Sequence, residues 1–238
     1  MQGRWISTRR LAAALVSAAV LYFGMGALLH YVMFPEEEPP EWAYARSGFA
    51  FATPTGERMQ VIRGVFETGG EYAEVHFDLA PGGHAPRAHI HPHQEERFEV
   101  LSGSLTALVG DEERVISPGE TLVVPPGTPH QPFNRGDVPM RSVARVTPAG
   151  KLGLFFGQLS GIERLTFLQM MLFVQEYDVY PVSPPPAAMR VISCILAPTA
   201  RLLGYRSFYP EYAKRFLASA AQPGAAAAEP QRAPIDPE

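Results

Sequence analysis

Hydrophobic and polar positions change their pattern three times along the chain. From Leu11 to Phe34, LAAALVSAAVLYFGMGALLHYVMF, 24 residues pass without an Asp, Glu, Lys or Arg. As a helix rising about 1.5 Å per residue this run is about 36 Å long, enough to cross a hydrocarbon core of about 30 Å with some tilt. From Gly48 to about Thr147 the chain switches to short alternating segments. The clearest is YAEVHFDLA, Tyr72 to Ala80, in which Ala73, Val75, Phe77 and Leu79 take one face and Glu74, His76 and Asp78 the other, the period of two of a half-buried strand. RFEVL, SLTALV, RVIS, TLVV and RSVARV follow, separated by PGG, SG, GDE, SPG and PPG turns. Many short strands with such breaks predict a sandwich or barrel.

After Pro148 the pattern becomes helical. Ser160 and Glu163 have the S-x-x-E spacing of a capping box and open a predicted helix running to Tyr177. A second helix is expected from the prolines at 184–186 to near Gly204, with Pro198 kinking or breaking it. Leu168–Val174 is apolar almost all round but too short to span a bilayer; burial against the β domain is the first reading and contact with a membrane surface or partner the second. The expected organisation is an N-terminal transmembrane anchor over 1–34, a Pro/Glu-rich spacer over 35–47, a β domain over 48–148, a helical segment over 149–220 and a disordered tail over 221–238.

The flanks of the first run orient it. Arg4, Arg9 and Arg10 precede it, whereas Glu36, Glu37, Glu38 and Glu41 follow, so the excess of basic residues predicts a cytoplasmic N-terminus, a single pass, and a β domain on the non-cytoplasmic side. A cleaved signal peptide is the main competing reading and a buried or interfacial helix a further one, but a signal's apolar stretch is usually about 7 to 15 residues and ends at a small-x-small site; LLHYVMFP is a poor one. Composition adds little beyond this. The net charge of −4, with no Lys/Arg block, excludes nucleic acid as a partner. Cys194 is the single cysteine, so no intramolecular disulfide forms.

The chemistry concentrates in HIHPHQEERFEVLSG, His89 to Gly103, where three imidazoles and two adjacent carboxylates occupy eight residues. His89 and His91 lie two apart on an extended segment and therefore share a face. Imidazole and carboxylate together suit borderline divalent ions. Glu96 shares parity with the inward Phe98 and Val100, while Glu95 falls with Arg97 and Glu99; Glu96 is the predicted ligand and Glu95 is solvated. His93, beyond the turn at Pro92, reads as a surface or supporting group. A second stretch, GETLVVPPGTPHQPFN, runs a buried strand into a Pro-Pro-Gly turn and re-emerges at His130, which brings a fourth donor within reach. Three imidazoles and a carboxylate buried without an ion carry a desolvation cost unless each finds a hydrogen bond.

These two stretches resemble the paired motifs of the cupin superfamily. The first, G-x5-H-x-H-x3,4-E-x6-G, is filled by Gly83, His89, His91, Glu96 and Gly103, and the second, G-x5-P-x-G-x2-H-x3-N, by Gly119, Pro125, Gly127, His130 and Asn134. The resemblance covers roughly Tyr72 to Val146. It implies a mainly β fold, a double-stranded β-barrel or jelly roll carrying the N-terminal transmembrane helix and the C-terminal helices as additions. It further implies His89, His91, Glu96 and His130 as metal ligands. Iron or manganese is favoured by family habit, with nickel, copper and zinc also compatible with the ligand set. The function implied is a metal-dependent enzyme, dioxygenase-like or isomerase-like, acting on a small, largely apolar organic substrate. The alternative is a non-catalytic module that binds or senses a small molecule. Phe98, Val100 and Phe133 are candidate pocket walls; His84 and Arg87 stand before the ligands at the rim or in a solvated loop. The partners expected are the small molecule, the membrane through the N-terminal helix and a second copy of the chain as a homodimer.

Overall fold

Apolar runs and alternating segments take up the structures their periods dictate, in a computed structural model that describes residues 8–85 and 87–219. Helix α1, Thr8–Leu28, is continued by a π-helical turn at Leu29–Met33. After a 3-10 turn at Glu41–Ala43 come the strands β1 (Ala50–Ala52), β2 (Glu57–Arg63), β3 (Ala73–Leu79), β4 (His89–Ile90) and β5 (Glu95–Ser102). They are followed by β6 (Leu105–Val109), β7 (Glu112–Ile116), β8 (Thr121–Val124), β9 (His130–Phe133) and β10 (Met140–Thr147). The C-terminal part holds α2 (Leu152–Leu159), α3 (Phe167–Glu176), the short strand β11 (Tyr180–Pro181), α4 (Pro186–Leu202) and α5 (Pro210–Ser219). The tail expected to be disordered, 221–238, lies outside the described residues.

The strands form two antiparallel sheets, ordered β1-β2-β3-β10-β5-β8 and β11-β4-β9-β6-β7. Among the described strands none pairs from one sheet to the other, so the expected barrel is not closed by hydrogen bonds. Side chains join the layers instead. Phe77, Leu79, Phe98, Val100, Leu122, Val124 and Met140 of the larger sheet pack in one cluster with Leu105, Ala107, Val109 and Ile116 of the smaller. Fully burying a side chain of this size contributes about 1.5–3 kcal/mol, which makes this cluster the bond between the layers. The alternation is visible in β5, where Glu96, Phe98 and Val100 are buried and their neighbours exposed. On the outer face, Glu74 of β3 pairs with Arg145 of β10.

The C-terminal helices differ from their sequence expectation in two places. Ser160 and Glu163 do not open α3. Ser160 ends α2 in helical geometry (φ −63°, ψ −22°), and an N-cap requires an extended backbone; Thr166 supplies it, with its hydroxyl accepting from the Gln169 N–H at 3.2 Å. Pro198 neither breaks nor ends α4, which continues through it. Proline removes the donor that would have met the Cys194 carbonyl four residues back. The Tyr31 hydroxyl, at the end of the N-terminal helix, donates to that carbonyl at 3.3 Å instead. Nearby, Gly26 of α1 lies so close that a Cβ there would sit 3.2 Å from the Pro198 Cβ.

Residues 35–47 pack rather than run free. Glu36 accepts from the Ser207 hydroxyl and lies 3.8 Å from Arg201, while Lys151 bridges Glu38 and Glu176. Ala43 and Tyr44 are buried with Leu154, Phe173, Tyr177 and Ala213. The apolar patch 168–174 is likewise buried: Met171 and Val174 pack with Ile90, Tyr180 and Met189, and Leu172 with Ala197 and Ala200.

Candidate metal centre

Each of the four predicted donors reaches the same point from a different local structure. His89 opens β4 and is the direct cross-strand partner of His130, the first residue of β9. His91 follows β4, and its carbonyl accepts the Gly127 N–H at 2.8 Å, so the Pro-Pro-Gly turn of the second motif braces the first. Gly127 takes φ +77°, a backbone that favours glycine. Glu96 comes from β5 in the facing sheet, directed inward by strand alternation. One donor atom from each of the four lies within 4.8 Å of all the others. His91, Glu96 and His130 are buried and His89 partly so.

The hydrogen bonds fix which nitrogen faces the centre. Nδ1 of His89 meets the Arg87 carbonyl at 3.0 Å, Nδ1 of His91 the Asp178 carbonyl at 3.1 Å, and Nδ1 of His130 the Thr128 carbonyl at 3.0 Å. A carbonyl only accepts, so each Nδ1 carries the proton and donates, leaving Nε2 as the inward atom. This is the outer hydrogen bonding that orients metal-bound imidazoles. Nε2 of His91 is buried without a hydrogen-bond partner, and Glu96 Oε1 lies 3.6 Å from it. Nε2 of His130 stands 2.9 Å from Glu96 Oε2. The unpartnered Nε2 of His91 and the Glu96 carboxylate meet in a low-dielectric pocket beside the other two imidazoles, and this donor set fits a divalent transition ion.

The electrostatics follow from the same geometry. Burial, with the neighbouring His130 and His91, holds His89 down at about 4. Burial pushes Glu96 up, but its interaction with the neighbouring His91 ring and the hydrogen bond from His130 outweigh it, and the carboxyl is held at about 2. Burial also opposes the charged form of His130, yet its bond to Glu96 raises it above the ordinary value.

Supporting residues come from far along the chain. The Asp178 carboxylate accepts the His93 backbone N–H at 2.9 Å and meets the His93 ring at 2.7 Å, while its carbonyl holds His91. Asp178 has φ +53°, a conformation aspartate tolerates better than most residues. Next to it, Tyr180 and Pro181 pair with Ile90 and His89. Neither contact carried a sequence signal, because Asp178 lies in no motif. The motif asparagine, Asn134, is buried and structural: its Nδ2 donates to the Leu79 and Val138 carbonyls and its Oδ1 accepts from the Gly136 N–H.

The predicted wall residues divide. Phe98 and Val100 lie in the inter-sheet core, Phe98 against Phe77. Phe133 is half-buried beside the His84 ring at 6.3 Å. Arg87 is exposed, and its carbonyl serves His89. An apolar cavity of about 70 Å³ is lined by Met59, Val61, Val75, Ala144, Val146 and Phe156, among others. Val146 is the cross-strand partner of Glu96, which puts one cavity wall beside the carboxylate donor.

Known proteins resemble parts of this chain. Residues 75–144 match the family model described as a cupin domain. Among curated proteins, the chain is 37% identical over 73 residues to the tetracenomycin polyketide synthase protein TcmJ of Streptomyces glaucescens, covering 31% of this chain and 48% of that protein. It is 32% identical over 131 residues to germin-like protein 1 of Brassica napus, covering 51% and 57%. The chain thus spans about half the length of the curated relatives it matches. Among solved structures, a sugar phosphate isomerase of the cupin superfamily from Silicibacter pomeroyi aligns at 21% identity and a TM-score of 0.37, covering 47% of this chain and 75% of that one.

Proposed function

We propose that this chain, which belongs to the cupin superfamily through residues 75–144, is a membrane-anchored, metal-dependent enzyme acting on a small, largely apolar organic compound. One observation carries the reading: three imidazoles whose Nδ1 atoms are each spent on a backbone carbonyl turn Nε2 toward one carboxylate, all within 4.8 Å. His89, His91, Glu96 and His130 would hold the ion, iron or manganese by preference. Bound there, the metal supplies Lewis-acid or redox chemistry toward an oxygen-bearing substrate. The chain's own part is to desolvate and orient. The buried cluster keeps water from the donors, Glu96 stays ionised, and the apolar wall at Val146, Ala144 and Val75 favours a substrate with a hydrocarbon face. The relative named for a polyketide synthase agrees with a small organic substrate of this kind. The reaction class proposed is dioxygenation or isomerisation.

A second reading, a non-catalytic module that binds or senses a small molecule, draws on the cavity's size, about 70 Å³, which admits only a small group. The anchor is Thr8–Met33, a 26-residue helix long and apolar enough to cross a membrane. By Arg4, Arg9 and Arg10 before its apolar run from Leu11, its N-terminus is cytoplasmic and the β domain lies on the other side; the domain limits 1–34, 35–47, 48–148, 149–220 and 221–238 and a homodimeric state belong to the same proposal. The test is elemental analysis of the full chain purified in detergent, followed by oxygen uptake and product analysis with phenolic and other small apolar compounds. One bound transition metal per chain, lost in His130→Ala, is expected. Absence of metal after growth in supplemented medium sinks the metal centre, and metal without turnover across the panel favours the binding module.

A further inference from the structure

We infer that α4 is a second membrane contact, an interfacial helix whose apolar face enters the headgroup and acyl boundary of a phospholipid bilayer beside α1. The inference rests on reading α1 as a membrane span.

The face is built by spacing. Val191, Ile195 and Leu202 are four and seven residues apart, which at 3.6 residues per turn sets them within a narrow stripe. They are 60%, 45% and 61% exposed, and Leu203, just past the helix, is 65% exposed. The other side of α4 is occupied, with Met189, Ser193, Ala197 and Ala200 buried. An apolar stripe of this kind needs a partner, and its neighbour in the fold indicates which. Pro198 falls in the same stripe, between Ile195 and Leu202, and it is the residue that α1 covers with Gly26. The exposed apolar surface of α4 is therefore continuous with that of α1, where Leu21, Met25, Leu28 and Val32 are also exposed.

Depth agrees. Gly26 lies seven residues before Met33, the end of the 26-residue apolar helix, so the crossing point is about 10 Å in from that end. A helix of that length is about 39 Å long, about 9 Å more than a hydrocarbon core of about 30 Å. With the excess shared between the two ends, α4 crosses about 6 Å below the edge of the core. Interfacial helices lie about 5–10 Å into this boundary. The crossing is also held in place: Tyr31 donates to the Cys194 carbonyl, and Arg201 donates to the Phe34 carbonyl and to Nδ1 of His30. Charge fits as well. From Val179 to Pro210 the chain carries no acidic residue, and beside Arg201, which pairs with Glu36, it holds Arg190 and Arg206, basic residues of the kind interfacial helices set against phospholipid headgroups.

The experiment uses the full chain reconstituted in vesicles of phosphatidylcholine and phosphatidylglycerol. Nitroxide labels are placed at Val191→Cys and Ile195→Cys in a Cys194→Ala background. Val20→Cys in α1 is the lipid reference and Asp111→Cys, in an exposed turn, the water reference; circular dichroism confirms that each labelled protein is folded. Collisions with oxygen and with a water-soluble nickel chelate are then compared. Oxygen collisions several-fold in excess at 191 and 195, as at 20, are expected. Collision rates at 191 and 195 that match those at 111, with 20 still lipid-like, overturn the proposal and leave the anchor standing. Shielding from both reagents, as a second copy of the chain would produce, also overturns it. Water-like behaviour at 20 overturns the anchor and this inference together.

Discussion

His130 has hydrogen bonds at both ring nitrogens, to the Thr128 carbonyl and to Glu96. Both partners are acceptors, so the metal-free ring is an imidazolium. A metal ion then has to displace that proton, and uptake near neutral pH is expected to release protons, measurable by titration in weakly buffered solution. His89 behaves in the opposite sense. Its folded value of about 4 lies below the ordinary 6.5, so between these pH values the unfolded chain binds a proton the folded chain refuses, and stability falls as pH drops through that window. Metal-free protein should therefore melt lower at about pH 5 than at about pH 6.5, and the difference should shrink in His89→Asn; an unchanged difference would remove His89 as the cause. Asp178 gives a third expectation. Its carboxylate holds the loop that carries His93, and its carbonyl holds His91, so Asp178→Ala should weaken metal binding by about ten- to a hundredfold, read by competition with a chelator. Asp178→Asn keeps an acceptor and tolerates the positive φ, and should lose less. The motif glycine at 103 serves the backbone alone, since at φ +70° a Cβ would meet the Pro139 carbonyl at 2.6 Å and the Met140 Cα at 2.9 Å.

Among the elements, α4 shows how a proline is accommodated. The Cys194 carbonyl, left without its helical donor by Pro198, takes the Tyr31 hydroxyl. Tyr31→Phe should cost about 1 kcal/mol, seen as a lower midpoint of thermal unfolding. In a Pro198→Ala background the helix regains its N–H, so the same substitution should cost less; equal costs in the two backgrounds would deny the link. How far the elements were legible follows from what each signal depends on. Strands β3, β5, β8 and β10 were readable because burial on one face writes a period of two into the sequence, and the same parity chose Glu96 over Glu95. The start of α3 was not, because Ser160 and Thr166 are both good caps and only the length of α2 decides between them. The brace from Asp178 to the His91 loop was invisible, since a contact between residues 87 positions apart leaves no local pattern.

At the scale of the molecule, the two sheets, the C-terminal helices and α1 are linked in series. Residues 35–47 add ion pairs from Glu36 and Glu38 to Arg201 and Lys151, so the β domain is held close to α1 rather than swinging from it. If α1 spans, the protein should stay in the pellet after extraction of membranes with alkaline carbonate; release by carbonate or salt would end that reading. The β11 strand gives this arrangement its last consequence. Tyr180 and Pro181 flank one side of a ligand strand only two residues long, with β9 on the other. They are also the approach to α4. A protease nick anywhere between α3 and β11 would unfasten one edge of that strand while leaving the inter-sheet cluster intact, so the donor set should come undone well before the sandwich does, like a clasp that opens while the box stays whole.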